Sequence, residues 1–248
     1  MRRYICMSSS FLQHSKTKYL LAILLLLVCS GIYFADHNLM EGELIYKSNV
    51  ENPNQSPFEM SVHFKNVEDS VIRNSFEKVW HQYKPLHEYE ITLVQKPIEG
   101  STMQAQPIIT LRSLFSGIKR YRINIGYHVR DQKKLKLNTL SEDVLTGWFA
   151  HELGHIMDYQ QHSNFKMIVY GLKYYFSEKF KKVVEHDADY IAIANGFHEE
   201  ILATKKFILG HESISESYKS KIMKYYMPEE DVIVCSEDKE LLEPYFNL

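Results

Sequence analysis

The sequence predicts an α+β fold, a small antiparallel sheet followed by a mostly helical domain, and two patterns carry that expectation. Strand-like runs separated by turn residues occupy the stretch from Glu90 to Tyr127, and helical periodicity holds from Thr139 almost to the C-terminus. No internal repeat or low-complexity segment interrupts them. With 248 residues, 45% of them hydrophobic, the chain suits one globular domain with a short appendage.

The appendage is N-terminal. Residues 1–18 carry Arg2, Arg3, Lys16 and Lys18, and Tyr19 to Ala35 then runs seventeen residues without a charge. A core helix of that length would show a polar face, so residues 19–35 read as a membrane-directed segment, either a retained transmembrane signal-anchor or the core of a cleaved signal peptide. The length is at the lower limit for a span, and Val28-Cys29-Ser30 offers a small-residue cleavage site. Val28 stands where a lipoprotein signal needs Gly or Ala, which argues against acylation of Cys29. The basic residues precede the apolar run, so the rest of the chain is expected on the extracytoplasmic side, periplasmic or cell-surface. Residues 36–57, ending in Asn52-Pro53-Asn54-Gln55-Ser56-Pro57, read as a tether, and residues 58–248 as the folded domain.

Within the domain, Val71, Ile72, Phe76, Val79 and Trp80 mark one face of a helix between Val67 and Tyr83. Strands follow at Glu90 to Val94, Ile108 to Leu114 and Arg120 to Tyr127, punctuated by Pro97, Gly100, Pro107 and Gly117. Arg130 to Asn138 is a charge-rich loop. The first long helix lies in TLSEDVLTGWFAHELGHIMDYQ, where Thr139 and Glu142 have the spacing of a capping box.

Composition excludes several functions. The net charge is −2 with both signs interspersed, so no basic surface for nucleic acid is present, and the tyrosines and phenylalanines are scattered as core residues are. Of Cys6, Cys29 and Cys235 only the last belongs to the domain. That rules out an internal disulfide and a thiolate-held zinc site, so a metal would need His and carboxylate ligands.

Such ligands are available. His151-Glu152-Leu153-Gly154-His155 places two imidazoles just over one helical turn apart, on one face, where they can grip one ion with Glu152 beside its open position. A carboxylate there can take the proton of a zinc-activated water as it attacks a carbonyl. The five residues alone are only suggestive. A third ligand appears in VVEHDADYIAIANG, where Glu185 follows His155 by thirty residues and Asp189 lies one turn beyond, placed to hold the free N–H of a ligand histidine.

His-Glu-x-x-His followed by Glu-x-x-Ala-Asp resembles the pattern of the gluzincin zinc metallopeptidases, in the branch of the CaaX prenyl proteases, heat-shock membrane proteases and compact minigluzincins. The resemblance covers roughly Tyr121 to Gly196. It implies His151, His155 and Glu185 as zinc ligands, Glu152 as the general base, Asp189 as the supporting acid, and a zincin-type catalytic domain. It also implies that the strand Tyr121 to Ile125 offers its free edge to an extended peptide or protein substrate. Two departures matter. Asn164 to Phe180, between the motifs, is short, amphipathic and broken by Lys166, Lys173 and Glu178, which argues against intramembrane cleavage and favours the minigluzincin comparison. The oxyanion-steadying residue, usually His, Tyr or Arg from beyond the second motif, is not identified among His198, His211, Tyr218, Tyr225 and Tyr226. The expected activity is that of a zinc endopeptidase acting outside the cytoplasm. The alternative is a zinc-bearing binding or regulatory module whose cleft is latent or filled by the segment after Met227.

Overall fold

A computed structural model of the chain describes residues 61–246. The membrane-directed segment, the tether and the expected domain start near Phe58 lie outside the described residues. Residues 61–108 with 117–246 belong to one compact unit, and residues 109–116 to another. Of the second unit, the described part is one short helix, Leu111–Ser116, opened by reciprocal bonds in which the Thr110 and Ser113 hydroxyls each accept the other's N–H, at 2.8 and 3.0 Å.

The first unit opens with strand β1 (Val62–Lys65) and helix α1 (Ser70–Trp80), whose first turn is capped by the Asp69 carboxylate accepting the Val71 N–H at 2.9 Å. Ile72, Phe76, Val79 and Trp80 are buried, whereas Val71 at the rim of that face is exposed. Strands β2 (Glu90–Gln95), β3 (Met103–Pro107) and β4 (Arg120–Ile125) complete a four-stranded sheet in the order β1-β2-β4-β3. β1 with β2 and β2 with β4 are parallel, and only β3 runs antiparallel, against β4. The sheet is therefore mixed, not the antiparallel one expected. Period-two alternation reports which face is buried and carries no information on strand direction.

The expected strand at Ile108 to Leu114 is not formed. The sheet's third stretch is Met103–Pro107, a short run without β-branched or aromatic residues; its ladder ends where the Ile108 N–H meets the Arg120 carbonyl, and the Thr110 and Ser113 hydroxyls then divert the backbone into Leu111–Ser116, here α2.

Six further helices follow: α3 (Glu142–Gln160), α4 (Asn164–Phe176), α5 (Glu178–Ala194), α6 (His198–Gly210), α7 (Glu216–Tyr225) and α8 (Glu229–Glu237). α3 is the centre of the unit, buried at every residue from Val144 to Met157 and packed against α1, β3, α5 and α6. A helix enclosed on all sides has no polar face to display, which suits its apolar composition. The capping box at Thr139 and Glu142 does not form, because the chain makes a 3-10 turn at Leu137–Thr139 and the helix starts later, after Ser141. The Thr139 hydroxyl instead donates to the Lys136 carbonyl at 2.8 Å. Arg130 to Asn138 is a largely exposed loop pinned by the buried side chain of Leu137.

The amphipathic stretch Asn164 to Phe180 is divided between two helices. Ser177 ends α4 in an extended conformation and its hydroxyl accepts the Phe180 N–H at 3.2 Å to start α5. α5 ends before Gly196, whose φ of +90° suits a residue without a Cβ. No helix among the described residues is long and apolar enough to cross a membrane.

Candidate metal centre

α3 and α5 approach closely because two small residues meet at the crossing. A Cβ on Gly154 would stand 2.5 Å from the Ala188 carbonyl oxygen, a distance real Cβ atoms do not tolerate. Two turns earlier on the same helix, Gly147 lies tighter still against α6, where an added Cβ would stand 2.1 Å from the Glu200 carbonyl oxygen and 2.3 Å from the Thr204 hydroxyl. The helical glycine costs about 1 kcal/mol in propensity, and the approach it permits brings the α5 carboxylates to the α3 imidazoles.

His151, His155 and Glu185 are all buried, and their ligand atoms lie within 4.8 Å of one another. Both histidines turn Nε2 toward the same oxygen, Glu185 Oε2, at 3.1 Å from His151 and 3.5 Å from His155. Two neutral Nε2 lone pairs and a carboxylate oxygen repel one another unless a cation or a proton stands between them. Tetrahedral zinc with bonds of about 2.0–2.1 Å would need donors separated by about 3.3 Å, so the two distances bracket its requirement. Tyr174 donates its hydroxyl to the other oxygen, Glu185 Oε1, and so leaves Oε2 facing the histidines. These three residues could hold a metal ion.

Asp189, one turn beyond Glu185, accepts from His151 Nδ1 at 2.9 Å, which fixes the tautomer with Nε2 facing the cluster. Its second oxygen accepts from the Lys205 ammonium at 2.8 Å and from the Met227 N–H at 3.1 Å. Burial pushes the Asp189 carboxyl up, but Lys205 and the His151 hydrogen bond outweigh it and hold it at about 2. Burial likewise works against a charged His151, yet hydrogen bonds to Asp189 and Glu185 raise it to about 10. Glu185 is buried too, and its two histidine partners bring it well below the usual carboxylate range. His155 Nδ1 has no hydrogen-bond partner among the described residues.

Glu152 is buried beside the cluster, and burial raises its carboxyl against the opposing pull of the histidines. Its Oε2 accepts the Ala105 N–H at 2.5 Å. That contact identifies the sheet's free edge. Even-numbered residues of β3 face β4, since the Gly126 N–H reaches the Thr102 carbonyl and the Ile108 N–H the Arg120 carbonyl; Met103, Ala105 and Pro107 therefore turn their backbone groups outward. Pro107 lacks an N–H at a position where the ladder needs none. β4, expected to offer this edge, is paired on both sides, by β2 and β3, so Tyr121 to Ile125 is interior. Its alternation of core-facing Tyr121, Ile123 and Ile125 with Arg122 and Asn124 is common to any half-buried strand, and the two polar side chains donate to Gln106 Oε1 of β3 at 3.1 and 3.0 Å.

Two cavities meet at Glu152. One is an open cleft of about 400 Å³ bounded by β3, His155, Tyr174 and Glu185. The other is a tighter recess between α3, α6 and α7, walled by Trp148, Ile201, Ile208 and Ile222. Of the five residues considered for steadying an oxyanion, Tyr218 lines the recess and Tyr226 lines both cavities, its ring 5.1 Å from that of His151. Tyr225 instead bonds Glu178, His198 sits at the exposed start of α6 near Glu199, and the His211 ring accepts the Ser213 N–H. Neither cavity is lined by a described residue after Met227.

Sequence reasoning did not find Tyr174, Lys205, Lys221 or the Ala105 N–H. No local pattern marks them, because each joins the site by tertiary approach from another element. The chain matches no family model, no curated protein and no solved structure.

Proposed function

We propose that the protein is a zinc endopeptidase of the gluzincin type, closest in plan to the minigluzincins, hydrolysing peptide bonds of extracytoplasmic proteins or peptides. The observation that carries this reading is the convergence of His151, His155 and Glu185 with the carboxylate of Glu152 beside them, at the edge of a sheet. A His₂Glu donor set is that of catalytic zinc, and a structural ion has no use for a neighbouring base.

Zinc bound there would polarise the scissile carbonyl and acidify the attacking water. Glu152 takes that water's proton and returns it to the leaving amine, a task suited to a carboxyl whose burial raises its proton affinity. The outward groups of Met103 and Ala105 pair with an extended substrate as an added strand. That pairing draws the Ala105 N–H away from Glu152, freeing the base as the substrate arrives. Asp189 keeps His151 in its ligating tautomer, Tyr174 keeps Glu185 Oε2 available, and Tyr218 or Tyr226 steadies the developing oxyanion.

A regulatory module with a cleft filled by the C-terminal segment is the other reading. Among the described residues none after Met227 enters the walls of the two cavities, which favours the enzyme. The basic residues before Tyr19 support an extracytoplasmic, membrane-anchored or secreted domain. Metal analysis of the purified chain tests the reading: about one zinc per chain is expected, lost in His151→Ala, His155→Ala and Glu185→Ala. Full retention in Glu185→Ala would remove it from the ligand set.

A further inference from the structure

Lys221 stands at the junction of the two cavities. It lines the recess and the open cleft alike, on α7, and its ammonium donates to the Gly100 carbonyl, at 3.3 Å, in the loop leading into β3. Among the described residues it forms no ion pair. The other charges facing the recess are accounted for: Lys205 is paired with Asp189, and Glu152 faces the histidines and Ala105. In the open cleft Glu185 is engaged by the histidines and Tyr174, while Lys181 lies over the Tyr174 and Tyr225 rings, 5.0 and 5.3 Å from their centroids. Glu99, the remaining acid of that wall, is exposed in the loop before β3.

Lys221 is therefore a cation without an ion-pair partner among the described residues beside the base, half-buried and held by a neutral carbonyl, whereas Lys181, likewise without an ion pair, rests on two aromatic rings. Burial lowers the Lys221 pKa, with Arg130 and Lys181 acting in the same direction and Glu185 and Glu152 against them. An ammonium poorly hydrated in this way gains most from an anion that replaces the missing water. The recess beside it is walled by Trp148, Ile201, Ile208 and Ile222, which suits an apolar side chain next to that anion.

We propose that Lys221 recognises a carboxylate of the substrate close to the scissile bond, so that the site selects peptides carrying an acidic side chain or a chain-terminal carboxylate at that place. This rests on the peptidase reading for its meaning and deepens it by naming the substrate class. A carboxylate on an extended peptide paired with β3 would reach Lys221 at the Gly100 end of the strand.

The test uses three mixed decapeptide pools, all N-acetylated. One has Asp and Glu with an amidated C-terminus, one lacks acidic residues but keeps a free C-terminus, and one has neither. Cleavage is read as new termini with the purified, zinc-loaded chain, and binding is read separately with its Glu152→Gln form. Preference for one carboxylate-bearing pool over the neutral pool by about tenfold or more is expected, and which pool it is tells a side chain from a chain end. Lys221→Met should bring that ratio to about one, Lys221→Arg should preserve it, and Lys221→Glu should bring it below one. An unchanged ratio in Lys221→Met, or no preference in the wild type, overturns the proposal. If nothing is cleaved but binding shows the Lys221-dependent ratio, carboxylate recognition stands and the peptidase reading falls.

Discussion

Gly154 and Ala188 meet where α3 crosses α5, so closely that a methyl group on Gly154 would press to 2.5 Å from the Ala188 carbonyl oxygen. One residue belongs to the His-Glu-x-x-His motif and the other to Glu-x-x-Ala-Asp. The small residues inside the two motifs thus perform a task separate from ligation, setting the helix separation that lets Glu185 Oε2 reach both imidazoles.

Gly154→Ala is accordingly expected to destabilise the domain by about 1–3 kcal/mol through overpacking, despite the better helix propensity of alanine. Gly171→Ala in α4, where nothing lies within 4 Å of the added Cβ, should instead stabilise by about 0.5–1 kcal/mol. Urea denaturation of the two variants checks the opposite signs, and a stable Gly154→Ala would mean the helices can part at little cost.

Lys205 and Asp189 form a buried pair, at 2.8 Å. Lys205→Met removes the ammonium from the buried carboxylate, leaving it to His151 and the Met227 N–H, and should cost about 3–5 kcal/mol in the same assay. Asp189→Ala should weaken metal affinity by roughly 10–100-fold without abolishing it, because His151 loses its orienting partner and keeps its ligand nitrogen. A competition titration against a zinc chelator reads this, and an unchanged affinity would remove Asp189 from the site.

Metal affinity should rise with pH. In the metal-free protein burial opposes the charged His151, but Asp189 and Glu185 raise its pKa from 6.5 to about 10, so the proton stays on between those values and must leave when an ion binds. The same proton contributes stability to the metal-free fold that is fully present below pH 6.5 and is lost as pH rises through about 10. Affinity is expected to climb about tenfold per pH unit across that window, with a proton released on binding. Calorimetry in buffers of differing ionisation enthalpy measures that release, and a pH-independent affinity would contradict the assignment of His151 as a ligand.

A reporter fused after Leu248 should lie on the extracytoplasmic side, because the basic residues precede the apolar run. A cytoplasmic reporter would overturn the proposed location.

The helix α1 was legible from its apolar periodicity, and the site from the ligand spacing set within α3 and α5, whereas α2 fell where a strand was expected. The sheet was read less well. β3, MQAQP, alternates but has no β-branched or aromatic residue to announce a strand; Gln106 pairs with Arg122 and Asn124, and the strand's odd-numbered residues turn their backbone groups to the cleft. The edge was consequently placed one strand away, on β4. Likewise Thr139 and Glu142 have capping-box spacing, but the 3-10 turn before Ser141 moves the helix start past Thr139 to Glu142 itself. The supporting residues Tyr174, Lys205 and Lys221 had no signal, because their relation to the ligands exists only after α4, α6 and α7 have packed.

Glu152→Gln isolates the role of Glu152 as a base serving a bound metal. The amide keeps the shape of the side chain but cannot take a proton, so zinc content and peptide binding should survive while turnover disappears. The measurement offers a mixed peptide library to wild type and variant at equal zinc occupancy and sequences new N-termini. New termini with the wild type alone are the predicted result. Equal cleavage by both forms, or none by a fully zinc-loaded wild type, would contradict the account.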